Sequence, residues 1–195
     1  MTVYVCVDPA WRTCAFTLIL VEKEEKEQPC ILATRVFDIT GKLEKFKKKF
    51  KREWLREYID RLRIKLDELW DSISADNSYL KKVAIIEKSL DKNKSTDNAD
   101  LGIIVGAIAT TLYNHCAEVH LVRNMDCRRF LKTLDGKDLR APDRSARKAR
   151  SIEYAREQVE TFTFQNQLDA LSIQIIDHTA DTILLFKYFI QSTKQ

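Results

Sequence analysis

The sequence predicts an α/β domain whose core is a mixed five-stranded sheet, an antiparallel three-strand meander extended by two parallel strands, with helices flanking it. Three observations carry that prediction. Residues 3–39 contain three apolar, β-branched runs joined by brief polar connections, and short connections favour antiparallel neighbours. Residues 43–73 then carry one apolar stripe at helical steps, long enough for a crossover. Finally, the opening run Val3-Tyr4-Val5-Cys6-Val7-Asp8 is echoed by Val83-Ala84-Ile85-Ile86-Glu87, each an apolar run ending in a carboxylate.

The first run is nearly continuous in apolar side chains, as expected of a strand buried on both faces. Pro9 lacks an amide donor, so the ladder stops near Asp8 and leaves that carboxylate at the strand's C-terminal rim. Trp11 in the following loop either contacts a ligand, with Arg12, or caps the core. Thr13–Val21 and Cys30–Ile39 read as the second and third strands, separated by the charged turn 22–28. In the helix expected over Leu43–Ile73, the stripe runs from Leu43 through Phe46, Phe50, Trp54, Tyr58, Leu62, Leu66 and Leu69 to Ile73. A helix laid on a sheet is the simpler reading, and a coiled coil the other.

A strand–helix–strand crossover sets Val83–Glu87 parallel to Val3–Asp8, so both acids emerge at one sheet edge. Adjacent strands lie roughly 5 Å apart, close enough for two carboxylates to share a cation. Asp97–His115 reads as a helix apolar almost all round, with Asp97 as its N-cap. Gly102 and Gly106 lie four apart on it. Each costs about 1 kcal/mol relative to alanine in a helix interior, which suggests close backbone approach to a sheet or a second subunit. Glu118–Val122 is the fifth strand. The pattern breaks between Thr133 and Ser145, read as a loop, and a helix follows from Arg144 or Ser145 to Thr161. Phe162–Gln167 reads as a polar–aromatic connection, and Leu168–Gln191 as the last helix.

At 195 residues, with 45% hydrophobic and 32% charged residues, the chain is expected to form a single globular domain, residues 1–195. It has no apolar run near the roughly 20 residues of a membrane span and no signal-peptide pattern. The five cysteines form no C-x-x-C pair and the three histidines have no ligand spacing to them. They read as reduced thiols of an intracellular protein, and a zinc site is not expected. The net charge of +4 is modest, but residues 123–156 concentrate cations. Arg128, Arg129, Lys132, Arg144, Arg147, Lys148 and Arg150 in that segment are the candidate DNA-phosphate contacts.

On the last helix, Asp177 and Asp181 are four apart and His178 and Asp181 three apart, so either pair shares a face. A satisfied polar patch is the plain reading of that motif alone. Beside two strand-end carboxylates it suggests a hard-oxygen site suited to Mg2+. Two such ions can activate an attacking water and stabilise the leaving oxygen of a phosphodiester.

Four places in the chain match one pattern together. They are Val5-Cys6-Val7-Asp8-Pro9; Val83–Glu87 with Lys88-Ser89-Leu90 and Asn93 behind it; Leu101-Gly102 with Gly106; and His178-Thr179-Ala180-Asp181. In this combination and order the chain resembles the RuvC-type Holliday junction resolvases of the ribonuclease H-like superfamily, most of all those of poxviruses and related large DNA viruses. The chain departs from bacterial members at Pro9-Ala10-Trp11-Arg12, which lacks their glycine after Asp-Pro, and at Leu90, where they carry phenylalanine.

The resemblance implies a Mg2+-dependent endonuclease with two ions per active site, Mn2+ substituting. It implies catalytic and metal-ligating roles for Asp8, Glu87 and Asp181, with His178 as fourth ligand and Asp177 as the adjacent alternative. The implied partners are branched double-stranded DNA, a four-way junction, and a second copy of the chain, with no membrane involved; Ile104, Ile108 and Leu112, which recur at four-residue steps, are the candidates for the side facing that copy. A viral source would imply the host-cell cytoplasm. Two alternatives remain open: a nuclease of the same superfamily acting on RNA–DNA hybrids or other branched DNA, and a non-catalytic DNA-binding module.

Overall fold

The computed structural model describes residues 1–10, 13–22, 28–38, 51–71, 80–88, 96–135, 144–164 and 177–193. Strands β1 (Thr2–Pro9), β2 (Thr13–Val21) and β3 (Cys30–Asp38) form the expected antiparallel meander, with Asp8 opposite Ala15 and an irregularity between Leu18 and Ile19. Helix α1 (Lys51–Asp71) leads to β4 (Lys81–Lys88), which pairs parallel to β1. Helix α2 (Thr96–Tyr113) leads to β5 (Glu118–Arg123), parallel to β4. Then come α3 (Asn124–Asp135), α4 (Arg144–Val159), the two-residue β6 (Thr163–Phe164) and α5 (Asp177–Ser192). The strand order is β5-β4-β1-β2-β3-β6.

The sheet therefore has six strands, not five. The extra one is β6, read from sequence as a connection; it pairs parallel to Cys30–Ile31, and Thr163 N–H donates to Pro29 O at 3.0 Å. Two residues are too few to show a strand period, so only the pairing reveals it. Helix α3 was not foreseen either, and it extends past Thr133, where the break was expected. Its cations hid an amphipathic pattern in which Cys127 and Leu131 are buried. Residues 43–50 and 72–73 of the first expected helix, and 168–176 of the last, lie outside the described residues.

β1 is buried on both faces, as its continuous apolar run requires. On one face Val3, Val5, Val7, Phe16 and Leu18 meet Tyr58, Leu62, Leu66 and Leu69 of α1 and Ile104, Ile108 and Leu112 of α2. On the other, Cys6, Ile19, Ile31 and Ile85 meet Ala180, Ile183, Leu184 and Phe186 of α5, with Tyr154 of α4 and Leu131 of α3. Each buried Val, Leu, Ile or Phe among them contributes about 1.5–3 kcal/mol by leaving water. All five cysteines are free thiols, and among the described residues no helix is long and apolar enough to cross a membrane.

Helix α2 differs from expectation in which side is covered. Ile104, Ile108 and Leu112 are fully buried beneath their own sheet, so they cannot face a second copy. A β-carbon added at Gly102 or Gly106 would meet nothing within 4 Å. The glycines lie instead on the outward face with Ile103, which is 48% exposed, and Tyr113, which is 68% exposed. An all-round apolar sequence shows that a helix has little polar surface, not which side the sheet takes.

Candidate active site

β1 and β4 run parallel with Val7 opposite Ile86. The next residue in each strand is the acid, so Asp8 and Glu87 stand side by side at one rim. Both are buried, at 7% and 9% exposure. Helix α5 crosses this end of the sheet and adds His178 and Asp181 from its first turn and a half. Its position is set by a buried hydroxyl pair, Thr182 Oγ1 to Thr17 Oγ1 at 2.7 Å, with Thr182 also donating to Thr179 O at 2.7 Å. This tie from α5 to β2 places the helix start over the strand ends.

His178 Nδ1 donates to Asp8 Oδ2 at 2.6 Å, and its Nε2 lies 3.0 Å from Thr13 Oγ1. Because an ionised carboxylate only accepts, Nδ1 carries the proton. The Asp8 bond raises the imidazole's pKa above its ordinary value, against the opposing effect of burial. Tyr58 Oη donates to Ala10 O at 3.2 Å, and Ala10 N–H donates to Thr13 O at 3.0 Å, bracing the turn behind Asp8.

Burial, followed by the charges of Asp8 and Asp181, drives the Glu87 pKa well upward; Asn124 and Arg128 oppose this. Burial and then Asp8 push Asp181 up to about 7, opposed by His178, Lys148 and Arg128. Three carboxylates therefore repel one another in a dry corner with too little positive charge nearby. Among the described residues, no three His, Cys, Asp or Glu side chains stand close enough to coordinate one ion as placed. Asp8 is turned to His178 and Glu87 to Asn124. The donor set itself, three hard carboxylate oxygens and an imidazole with excess negative charge, fits a divalent cation.

The cations are distributed unevenly. Arg128 and Lys148 lie near enough to act electrostatically on the acids. Arg129 is exposed and loosely paired with Asp126 at 3.7 Å. Arg150 is held within α4, 2.8 Å from Glu153 and 3.6 Å from Glu157. Lys132 lies one turn beyond Arg128 on α3 and is partly buried. Arg144 and Arg147 belong to the first turn of α4, but their side chains, like that of Asp177, lie outside the described residues. Sequence reasoning missed two polar partners, Thr13 and Asn124. The pairing of Glu87 with Val122, two residues before Asn124, is the signal that would have found the second, once register is known.

A pH dependence follows from these shifts. Glu87 and Asp181 titrate higher folded than unfolded, where carboxyls ionise near pH 4. The folded state thus holds the extra protons, and stability falls as pH rises from about 4 through about 7 for Asp181 and about 8 for Glu87. His178, also raised, loses its contribution in the same direction as pH passes its folded value. Thermal melts in chelator are expected to show Tm declining between pH 5 and pH 8, with a shallower decline for Asp181→Asn. A Tm that rises over this range would contradict the burial of these acids.

No protein-family model and no curated protein matches the chain. Solved structures do match. Thermus thermophilus RuvC aligns with a TM-score of 0.59 at 12% identity, covering 98% of this chain and 96% of its own. The yeast mitochondrial Holliday junction resolvase Ydc2 aligns at 0.62 and 10% identity, covering 96% and 78%. The fowlpox virus resolvase, solved with Holliday junction DNA, aligns at 0.58 and 15% identity, covering 99% of each chain. The chain has the fold of the RuvC-type Holliday junction resolvases.

Proposed function

We propose that this chain is a divalent-metal-dependent endonuclease that resolves four-way DNA junctions by symmetric nicking. The observation that carries the reading is the meeting of Asp8, Glu87, Asp181 and His178, from three separate elements, at one rim of a resolvase-like sheet. A module that only bound DNA would gain nothing from burying mutually repelling acids beside its cationic helices.

Asp8, Glu87 and Asp181 would hold Mg2+, or Mn2+ in its place, as a pair of ions, with His178 or Asp177 as a further ligand. Bound there, the ions supply an activated water and charge stabilisation at the leaving oxygen. The remaining work belongs to side chains. Asp8 holds the His178 ring and fixes its proton at Nδ1, so that Nε2 is the nitrogen left for a ligand or a proton. Thr13 marks the Nε2 position at 3.0 Å. Arg128 and Lys148, close to the acids but extending from α3 and α4, would receive phosphates flanking the scissile bond. Lys132 and Arg129 continue that basic surface along α3.

A homodimer completes the reading, since two equivalent sites suit two equivalent strands. The outward face of α2, with Gly102, Ile103, Gly106 and Tyr113, is an open apolar surface that suits it.

The test is cleavage of a synthetic four-way junction, a linear duplex and an RNA–DNA hybrid in Mg2+. Paired nicks confined to the junction are expected, with none in chelator. Faster cutting of the hybrid would reassign the substrate to RNA–DNA duplexes, and binding without metal-dependent cutting of any substrate would leave only a DNA-binding module.

A further inference from the structure

We propose that Asn124 is a positioning residue that sets the orientation of Glu87 for metal binding. The inference rests on the metal-nuclease reading and adds a residue to it. β5 ends at Arg123 and α3 begins at Asn124 with no linker, so the start of α3 is anchored to the sheet. Val122 is the register partner of Glu87. Two residues on, the chain turns into the helix and its first side chain comes back over that acid.

Asn124 Nδ2 donates to Glu87 Oε1. The direction is set by chemistry, because the amide oxygen would repel a carboxylate and only the nitrogen can donate. Among the described residues it is the single side-chain hydrogen bond to Glu87. An asparagine at a helix start ordinarily serves its own helix through the oxygen. The nitrogen has no part in that role, and here it is committed to the acid.

A neutral donor suits this task better than a charged one. Burial and the repulsion from Asp8 and Asp181 would otherwise turn Glu87 away from the cluster. An arginine or lysine in place of Asn124 would tie the carboxylate into an ion pair and compete with a cation for it. An amide holds one oxygen and leaves the full negative charge available. Partners that orient a ligand in this way are typically worth about 10–100-fold in metal affinity.

The experiment measures Mn2+ binding to the full chain by calorimetry without DNA, alongside junction cleavage over a range of Mg2+ concentrations. Asn124→Ala is expected to weaken Mn2+ binding by about 10-fold or more. The Mg2+ concentration for half-maximal cleavage should rise in step, kcat at saturating Mg2+ should stay within a few-fold, and junction affinity should be unchanged. Asn124→Ser, which keeps a polar helix start but is too short to reach, should behave alike and serves if the alanine variant folds poorly. In a Glu87→Gln background, Asn124→Ala should cost little more. Wild-type Mn2+ affinity in both Asn124 variants, or losses that simply add to that of Glu87→Gln, would overturn the proposal. Wild-type chain that binds no Mn2+ would overturn the metal reading and this inference together. Wild-type chain that binds Mn2+ but cuts no junction would overturn only the substrate, leaving the Asn124 result to stand on calorimetry.

Discussion

Asp8→Asn, Glu87→Gln and Asp181→Asn are each expected to reduce junction cleavage by at least about 1000-fold, on the order of 4 kcal/mol in the barrier. Junction binding should change little, because the proposed backbone contacts come from α3 and α4 and not from the acids. Glu87→Gln and Asp181→Asn should also be more stable than wild type in chelator at pH 8. Burial and mutual repulsion make ionisation of Glu87 and Asp181 unfavourable there, and a neutral amide removes that cost. This pairing of lost activity with gained stability separates a metal cluster from a structural polar patch. In a structural patch, removing a carboxylate would break favourable bonds and lower Tm. Retention of near-wild-type cleavage by any one variant would take that residue out of the site. His178→Ala should be milder than Asp8→Asn, since it leaves all three carboxylates in place. If Asp177→Asn proves worse than His178→Ala, the fourth position belongs to Asp177.

A charge on the outward face of α2 is expected to convert the proposed dimer to a monomer without unfolding the chain. Gly106→Arg and Ile103→Glu are the variants of choice, because nothing lies within 4 Å of a β-carbon at Gly106 and Ile103 is already 48% exposed. Seating either charge in an apolar contact without a partner should weaken association at least about 100-fold, roughly 2.7 kcal/mol. Sedimentation should then show monomers at micromolar concentration, and junction nicks should lose their pairing. Ile108→Glu should behave differently, because Ile108 is fully buried beneath the sheet. It should give misfolded protein, not a folded monomer. If wild-type chain is monomeric and still makes paired nicks, the outward face of α2 is not an interface and the symmetric mechanism fails with it.

Much of this protein is determined by local sequence. The Val3–Asp8 and Val83–Glu87 runs define two buried strands and place a carboxylate at the end of each, because a continuous apolar run has few other stable outcomes. A parallel crossover then brings those ends together, so Asp8 and Glu87 are legible as neighbours in the sequence alone. The stripe of Tyr58, Leu62, Leu66 and Leu69 determined the face of α1 that is buried, and all four are in the core. The spacing of His178 and Asp181 determined that they share a helix face.

Tertiary structure decided what periodicity could not carry. Which side of α2 meets the sheet was undetermined, since its apolar residues surround the helix, and the sheet took Ile104, Ile108 and Leu112. β6 exists only through its pairing with β3, because two residues have no pattern of their own. α3 read as a basic segment because its charges outnumber its buried Cys127 and Leu131, and only packing shows its inner face. The partners of the acids, Thr13 on His178 and Asn124 on Glu87, lie 165 and 37 residues away in sequence. Hydrogen bonds over such separations depend on register and helix placement, and those are properties of the whole sheet and not of any stretch within it.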